Sequence, residues 1–67
     1  MIAKSILTKN VRQFKRLYDS ESADGGLHLS LGKVLMATEL GLISQNEMEE
    51  YIDLFFQEHK EVKNKYF

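Results

Sequence analysis

Three observations on the sequence predict an all-α fold in the form of a small three-helix domain. Apolar residues recur at every third or fourth position along three segments, as they do on the buried side of amphipathic helices. Glycine-containing stretches separate these segments. Proline is absent, which suits a mostly helical chain. We expect helices over residues 2–19, 31–40 and 45–65, within one helical domain that spans residues 1–67.

The first helix has a clear apolar side and a basic opposite side. Its apolar stripe contains Ala3, Ile6, Leu7, Val11, Phe14, Leu17 and Tyr18. Lys9, Arg12 and Arg16 lie opposite that stripe. Asn10 falls inside the stripe, where a buried polar group needs a partner. Either its side chain reaches solvent at the stripe edge, or it sets the register of a helix–helix seam.

Residues 19–26 predict a flexible acidic and glycine-rich loop between the first two helices. The acids do not form a calcium loop, because Asp24 and Ser30 stand where such a loop needs glycine and glutamate. Residues 27–31 alternate between apolar and other residues, yet no second strand-like run exists to pair with them. We therefore interpret residues 27–31 as an extended lead-in, with Ser30 as the N-cap of the second helix.

The connection between the second and third helices is specified residue by residue. Gly41 follows the second helix and is free to adopt a positive φ that ends it. Ser44 and Glu47 have the spacing of a capping box, in which each side chain bonds to the backbone N–H of the other residue. Ile43 and Met48 flank them as a hydrophobic staple. The third helix should therefore begin directly after Ser44.

The third helix carries an apolar stripe that is broader than one neighbouring helix covers. The chain also holds seven aromatic residues, three Tyr and four Phe, and aromatic residues concentrate at interface hot spots. The interface candidates are Tyr51, Leu54, Phe55, Phe56, Val62, Tyr66 and Phe67. A lone monomer of this size is marginally stable, so we expect a homo-oligomer, most simply a two-fold dimer.

Composition excludes several classes of protein and site. Cysteine is absent, so disulfides, thiolate metal sites and thiol catalysis are excluded. Two histidines do not make a structural zinc site alone. No apolar run has the length of a membrane span, and no cleavable leader is evident. We therefore expect a cytoplasmic protein. We also expect no catalytic residues, metal or cofactor, because no nucleophile, phosphate-loop or acid–base pattern occurs and so small a core has little room for a pocket.

Charges are segregated along the chain although the net charge is only −1. Residues 1–18 carry five bases and no acid, whereas residues 44–58 carry five acids and no base. Antiparallel or cross-subunit packing would place the basic first helix beside the acidic last one. The rival interpretation leaves the basic side free for an acidic partner.

These observations favour a small non-catalytic regulator, inhibitor or adaptor that acts by stoichiometric binding to another cytoplasmic protein. A chain that starts at Met1 without a tag resembles a complete small open reading frame, typical of bacterial or phage regulators. The alternative is a DNA-binding transcriptional regulator. It would use the basic first helix, with Lys9, Arg12, Lys15 and Arg16, or the helical corner at residues 37–52. The acids after that corner would face phosphates, which argues against the second route.

Overall fold

The computed structural model describes residues 2–64 and confirms the all-α prediction. The three helices are α1 (Ile2–Leu17), α2 (Ala23–Glu39) and α3 (Gln45–Asn64). No β-strand occurs among the described residues. The first and third helices lie close to their predicted positions, with α1 ending two residues early. The predicted end of the last helix at residue 65 lies outside the described residues.

The helices run up, down and up. Lys4, near the start of α1, forms an ion pair with Glu47, near the start of α3, so these two helices are parallel. Asp24, at the start of α2, lies 2.7 Å from Nε2 of His59, near the end of α3, so α2 is antiparallel to both. α3 packs extensively against both other helices, which contact each other less.

The core lies on the axis where the three helices meet. The buried apolar residues are Leu7, Phe14, Ala23, Val34, Ala37, Ile43, Phe55 and Val62. Phe14 is fully buried, with ring centroids 4.8 Å from Tyr18 and 6.2 Å from Phe55 in tilted arrangements. Such aromatic pairs contribute about 0.5–1.5 kcal/mol beyond the area they bury. Phe14 is therefore the aromatic residue of α1 that packs at the centre of the core against α3.

The second helix begins eight residues earlier than predicted. It starts at Ala23, so the loop over 19–26 and the extended lead-in over 27–31 are wrong. A short turn replaces the loop: the Asp19 carboxylate accepts the backbone N–H groups of Glu21 and Ser22, at 3.0 and 2.9 Å. Ser30, the predicted N-cap, is buried inside α2, and its hydroxyl donates to the Gly26 carbonyl at 2.8 Å.

Gly26 explains why glycine is tolerated inside this helix. A Cβ at this position would lie 2.6 Å from ring carbons of Tyr18, so only glycine lets the ring pack against the backbone of α2. The glycine pair at residues 25 and 26 is typical of a loop, but in the structure Gly26 makes a helix–aromatic contact. Close packing of Tyr18 overrides the low helix propensity of glycine here.

The connection from α2 to α3 has the predicted form. Gly41 has a φ of 73°, and the N–H groups of Gly41 and Leu42 donate to the carbonyls of Thr38 and Ala37, which completes a Schellman motif. The capping box is also present. Glu47 accepts the Ser44 N–H at 2.8 Å, and the Ser44 hydroxyl accepts the Glu47 N–H at 3.1 Å. Both helix termini therefore satisfy their backbone groups locally.

Candidate protein-interaction site

Three predicted interface residues make packing or hydrogen-bond contacts within the monomer. Phe55 and Val62 are buried in the core. Tyr51 is half-buried, and its hydroxyl is hydrogen-bonded to the Thr8 hydroxyl at 3.0 Å and to the Lys4 carbonyl at 3.2 Å. The apolar stripe of α3 is broad because α3 meets two helices at once. Its breadth therefore does not by itself indicate a second copy.

The two remaining interface candidates among the described residues are separated in space. Leu54 and Phe56 are 46% and 49% exposed. Two residues apart on a helix, they point about 200° apart and do not form one patch. Tyr66 and Phe67 lie outside the described residues.

Of the four basic residues predicted to contact nucleic acid, one forms an ion pair within the chain and three do not. The Lys15 ammonium lies 3.0 Å from a carboxylate oxygen of Glu61 and forms an ion pair. Lys9, Arg12 and Arg16 are exposed and form no ion pair within residues 2–64. These three bases form what we call the basic face of α1.

The segregated charges meet within one chain and between parallel helices, rather than antiparallel ones. Lys4 pairs with Glu47 at one end of the α1–α3 seam, and Lys15 pairs with Glu61 at the other. The hydrogen bond from Lys4 lowers the pKa of Glu47, and that from Lys15 lowers the pKa of Glu61. Burial raises the pKa of the neighbouring Glu58. The seam between α1 and α3 is thus closed by charges at both ends.

The outer side of α3 remains acidic. Glu49, Glu50 and Asp53 are exposed and form no ion pair within the described part of the chain. We call these residues the acidic face of α3. They follow the helical corner, so the surface that a helix-turn-helix would present to DNA carries negative charge and would be repelled by phosphates.

An apolar pocket lies between the start of α1 and the end of α2. Its volume is about 190 Å³. The lining residues are Ala3, Ile6, Leu7, Lys33, Met36, Ala37, Leu40 and Leu42. Lys33 is the one charged residue among them, and it forms no ion pair within residues 2–64. The pocket is therefore an apolar depression with a single unpaired base.

Further exposed apolar residues lie on the same side of α1 and α2 as the pocket. Ile2 lies one turn before Ile6 on α1, and Leu17 lies three turns after it. On α2, Leu29 lies two turns before Met36. We define the α1/α2 face by its seven exposed apolar residues: Ile2, Ile6, Leu17, Leu29, Met36, Leu40 and Leu42. They are 41–78% exposed and make up seven of the ten large apolar side chains exposed among residues 2–64.

Sequence reasoning missed this face because of the α2 boundary. With residues 27–31 interpreted as extended, Leu29 did not join Met36 and Leu40 in a helical stripe. The signal was present, since the spacings of seven and four residues return a helix to the same side. On α1, Ile6 and Leu17 were assigned to the core stripe, although they lie on its edge.

A polar cluster ties the start of α2 to the end of α3. Asp24 meets His59 at 2.7 Å and Lys63 at 3.5 Å, and Lys63 also donates to the Ser20 carbonyl at 2.9 Å. The hydrogen bond with His59, followed by the charge of Lys63, lowers the pKa of Asp24. Among residues 2–64, no three His, Cys, Asp or Glu side chains are grouped in a way that could hold a metal ion.

None of the described helices combines the length and the apolarity that crossing a membrane requires. Comparison with known proteins finds no matching family model, no similar curated protein and no similar solved structure, so a proposal of function rests on these residues alone.

Proposed function

We propose that this protein is a small non-catalytic regulator or adaptor that binds a larger protein stoichiometrically through its α1/α2 face. The observation that carries the proposal is the concentration of exposed apolar side chains on this one side. Soluble monomers rarely expose large contiguous apolar patches unless these serve binding. Two neighbouring helices with an apolar groove between them are suited to a third helix that lies along the groove.

The chemistry of the groove favours a partner segment with an apolar row and at least one acid. Lys33 lies midway along the α2 row, between Leu29 and Met36, without an acid beside it. A carboxylate on the partner would pair with this ammonium while apolar side chains fill the pocket. A second copy related by a two-fold axis across the helices fits less well, because that axis opposes α2 with α2 and brings the two Lys33 ammonium groups together.

The experiment compares two neighbouring exposed residues of α2. Met36 lies on the α1/α2 face and is 54% exposed, whereas Leu35 lies off it and is 48% exposed. A tagged protein is incubated with lysate of the source cell. We expect the wild type and Leu35→Glu to retain the same protein in about 1:1 ratio, and Met36→Glu and Lys33→Glu to lose it. Equal retention by Met36→Glu and Leu35→Glu, or no stoichiometric partner, contradicts the proposal.

The alternative function is DNA binding through the basic face of α1. Its support is that three bases remain unpaired on one helix side. DNA binding of this kind weakens steeply with salt, because counterions are released when phosphates are neutralised. Salt-sensitive retention on DNA that disappears in Arg12→Glu/Arg16→Glu would favour this alternative over protein binding.

A further inference from the structure

The basic face of α1 and the acidic face of α3 lie on neighbouring parallel helices, and the residues of the two faces form no ion pair within the described chain. Lys9 and Arg12 belong to the basic face, and Glu50 and Asp53 belong to the acidic face. The helices are held in a defined register, because Lys4–Glu47 and Lys15–Glu58 both join residues 43 apart. In that register, Lys9 and Arg12 lie level with residues 52 and 55 of α3. Glu50 and Asp53 each stand two positions before these level residues, so they lie about 3 Å nearer the start of α3, which is less than one helical turn.

In one two-fold arrangement of two copies, the basic face of each copy meets the acidic face of the other. A two-fold axis parallel to the helices places α1 of each copy opposite α3 of the other. The bases of each copy then meet the acids of the other, twice. A two-fold axis across the helices would instead oppose α1 with α1 and bases with bases, which like-charge repulsion disfavours.

We propose that the outer surface of α1 and α3 binds a second copy of this chain in that parallel two-fold arrangement. Leu54 supplies an apolar contact near the centre. It belongs to a stripe with Glu47, Tyr51, Glu58 and Glu61, all of which reach α1 or its ion pairs, yet Leu54 itself is 46% exposed. A copy of Leu54 across the axis would cover it. This inference is independent of the partner proposed for the α1/α2 face, which the dimer leaves open.

The test is a charge exchange between two variants. Variant one carries Lys9→Glu and Arg12→Glu, and variant two carries Glu50→Lys and Asp53→Lys. Each variant alone opposes like charges at both contacts, so sedimentation at micromolar concentration should find both to be monomers. Mixed in equal amounts, they should form a heterodimer, because both contacts are then between opposite charges. The wild type should be a dimer, and its dissociation constant should rise at least about tenfold in high salt.

The control adds negative charge on α2, away from this surface. His28→Glu, Lys33→Glu and Leu35→Glu together change the net charge as much as variant one does, and the control should remain dimeric. Circular dichroism verifies that each variant keeps its helices. Should a charge reversal unfold the chain, Leu54→Asp serves as the second variant and should also be monomeric. A monomeric wild type, a dimeric variant one, or no complex on mixing overturns the proposal, as does a monomer whose basic face binds DNA.

Discussion

The two seams of α1 differ in chemistry. Its seam with α3 is closed by the Lys4–Glu47 and Lys15–Glu61 ion pairs and by the hydrogen bonds of Tyr51. Its seam with α2 has no ion pair among the described residues and leaves an apolar groove open to solvent. The difference indicates that α3 holds the fold together, whereas the apolar residues of the α1/α2 side are exposed to solvent. Polar contacts secure the first seam, and apolar surface remains uncovered at the second.

The largest expected effect comes from removing the ring at the centre of the core. Phe14 is fully buried and contacts the rings of Phe55 on α3 and of Tyr18, which follows α1 and packs on Gly26 of α2. Phe14→Ala should lower the free energy of unfolding by about 3–5 kcal/mol, which is a large part of the stability of so small a domain. Urea denaturation measures the loss. A loss below about 1 kcal/mol would mean that α1 is anchored elsewhere.

A second pair of substitutions separates two glycines of α2. Gly26→Ala should destabilise by about 1–3 kcal/mol, because its Cβ would collide with the Tyr18 ring. Gly32→Ala meets no atom within 4 Å and should stabilise by about 0.4–1 kcal/mol, because alanine loses less conformational entropy in a helix. Thermal melting of both variants checks the opposite signs. Equal effects would contradict the packing of Tyr18 against α2.

Removing the cap of α3 tests the polar seam. Ser44→Ala leaves the Glu47 N–H without its acceptor and should cost about 0.5–2 kcal/mol. The cost should be smaller in a Glu47→Ala background, because the Glu47 side chain belongs to the same capping box and also pairs with Lys4. A double-mutant cycle measured by urea denaturation gives this coupling. Strictly additive losses would show that cap and ion pair act independently.

Acid should weaken the α1–α3 seam and the Asp24 cluster. The pKa values of Asp24, Glu47 and Glu61 are lowered in the folded chain, chiefly by His59, Lys4 and Lys15 respectively. A carboxyl group whose pKa is lowered by folding stabilises the fold at any pH above its pKa in the unfolded chain, which is about 3.9–4.3 for these groups. That stabilisation is lost as the pH falls through the pKa of the group in the folded chain.

We therefore expect the melting temperature to fall as the pH decreases below about 4. Glu58, whose pKa burial raises, opposes the trend but is a single group. Glu47→Gln should flatten the decline, and the exposed, unpaired Glu49→Gln serves as control. A melting temperature that stays constant down to pH 2 would contradict the role of these pairs.

Local signals predicted the parts of the fold that local chemistry determines. The capping box of Ser44 and Glu47 and the positive φ of Gly41 depend on residues within five positions of each other, so the sequence contains their cause. The start of α2 depends on a distant contact. Gly26 is helical because Tyr18 packs on it, whereas composition alone predicts a turn at this glycine.

The candidate site was less predictable than the fold for the same reason. The breadth of the α3 stripe was visible, but only the packing of three helices determines that Phe55 and Val62 face inward while Leu54 does not. The α1/α2 face forms from two helices that meet across the structure. Its existence depends on how far α3 covers each of them, which periodicity along one helix does not specify.

The most direct test of the open α1/α2 face is methyl relaxation by a soluble paramagnetic agent, measured by NMR on the free protein. We expect strong relaxation at the methyl groups of Ile6, Met36 and Leu40, as strong as at exposed Leu35 and far above that at buried Val34. Relaxation at Ile6 and Met36 as weak as at Val34, with Leu35 still accessible, would contradict it, because the face would then already be covered in the free protein.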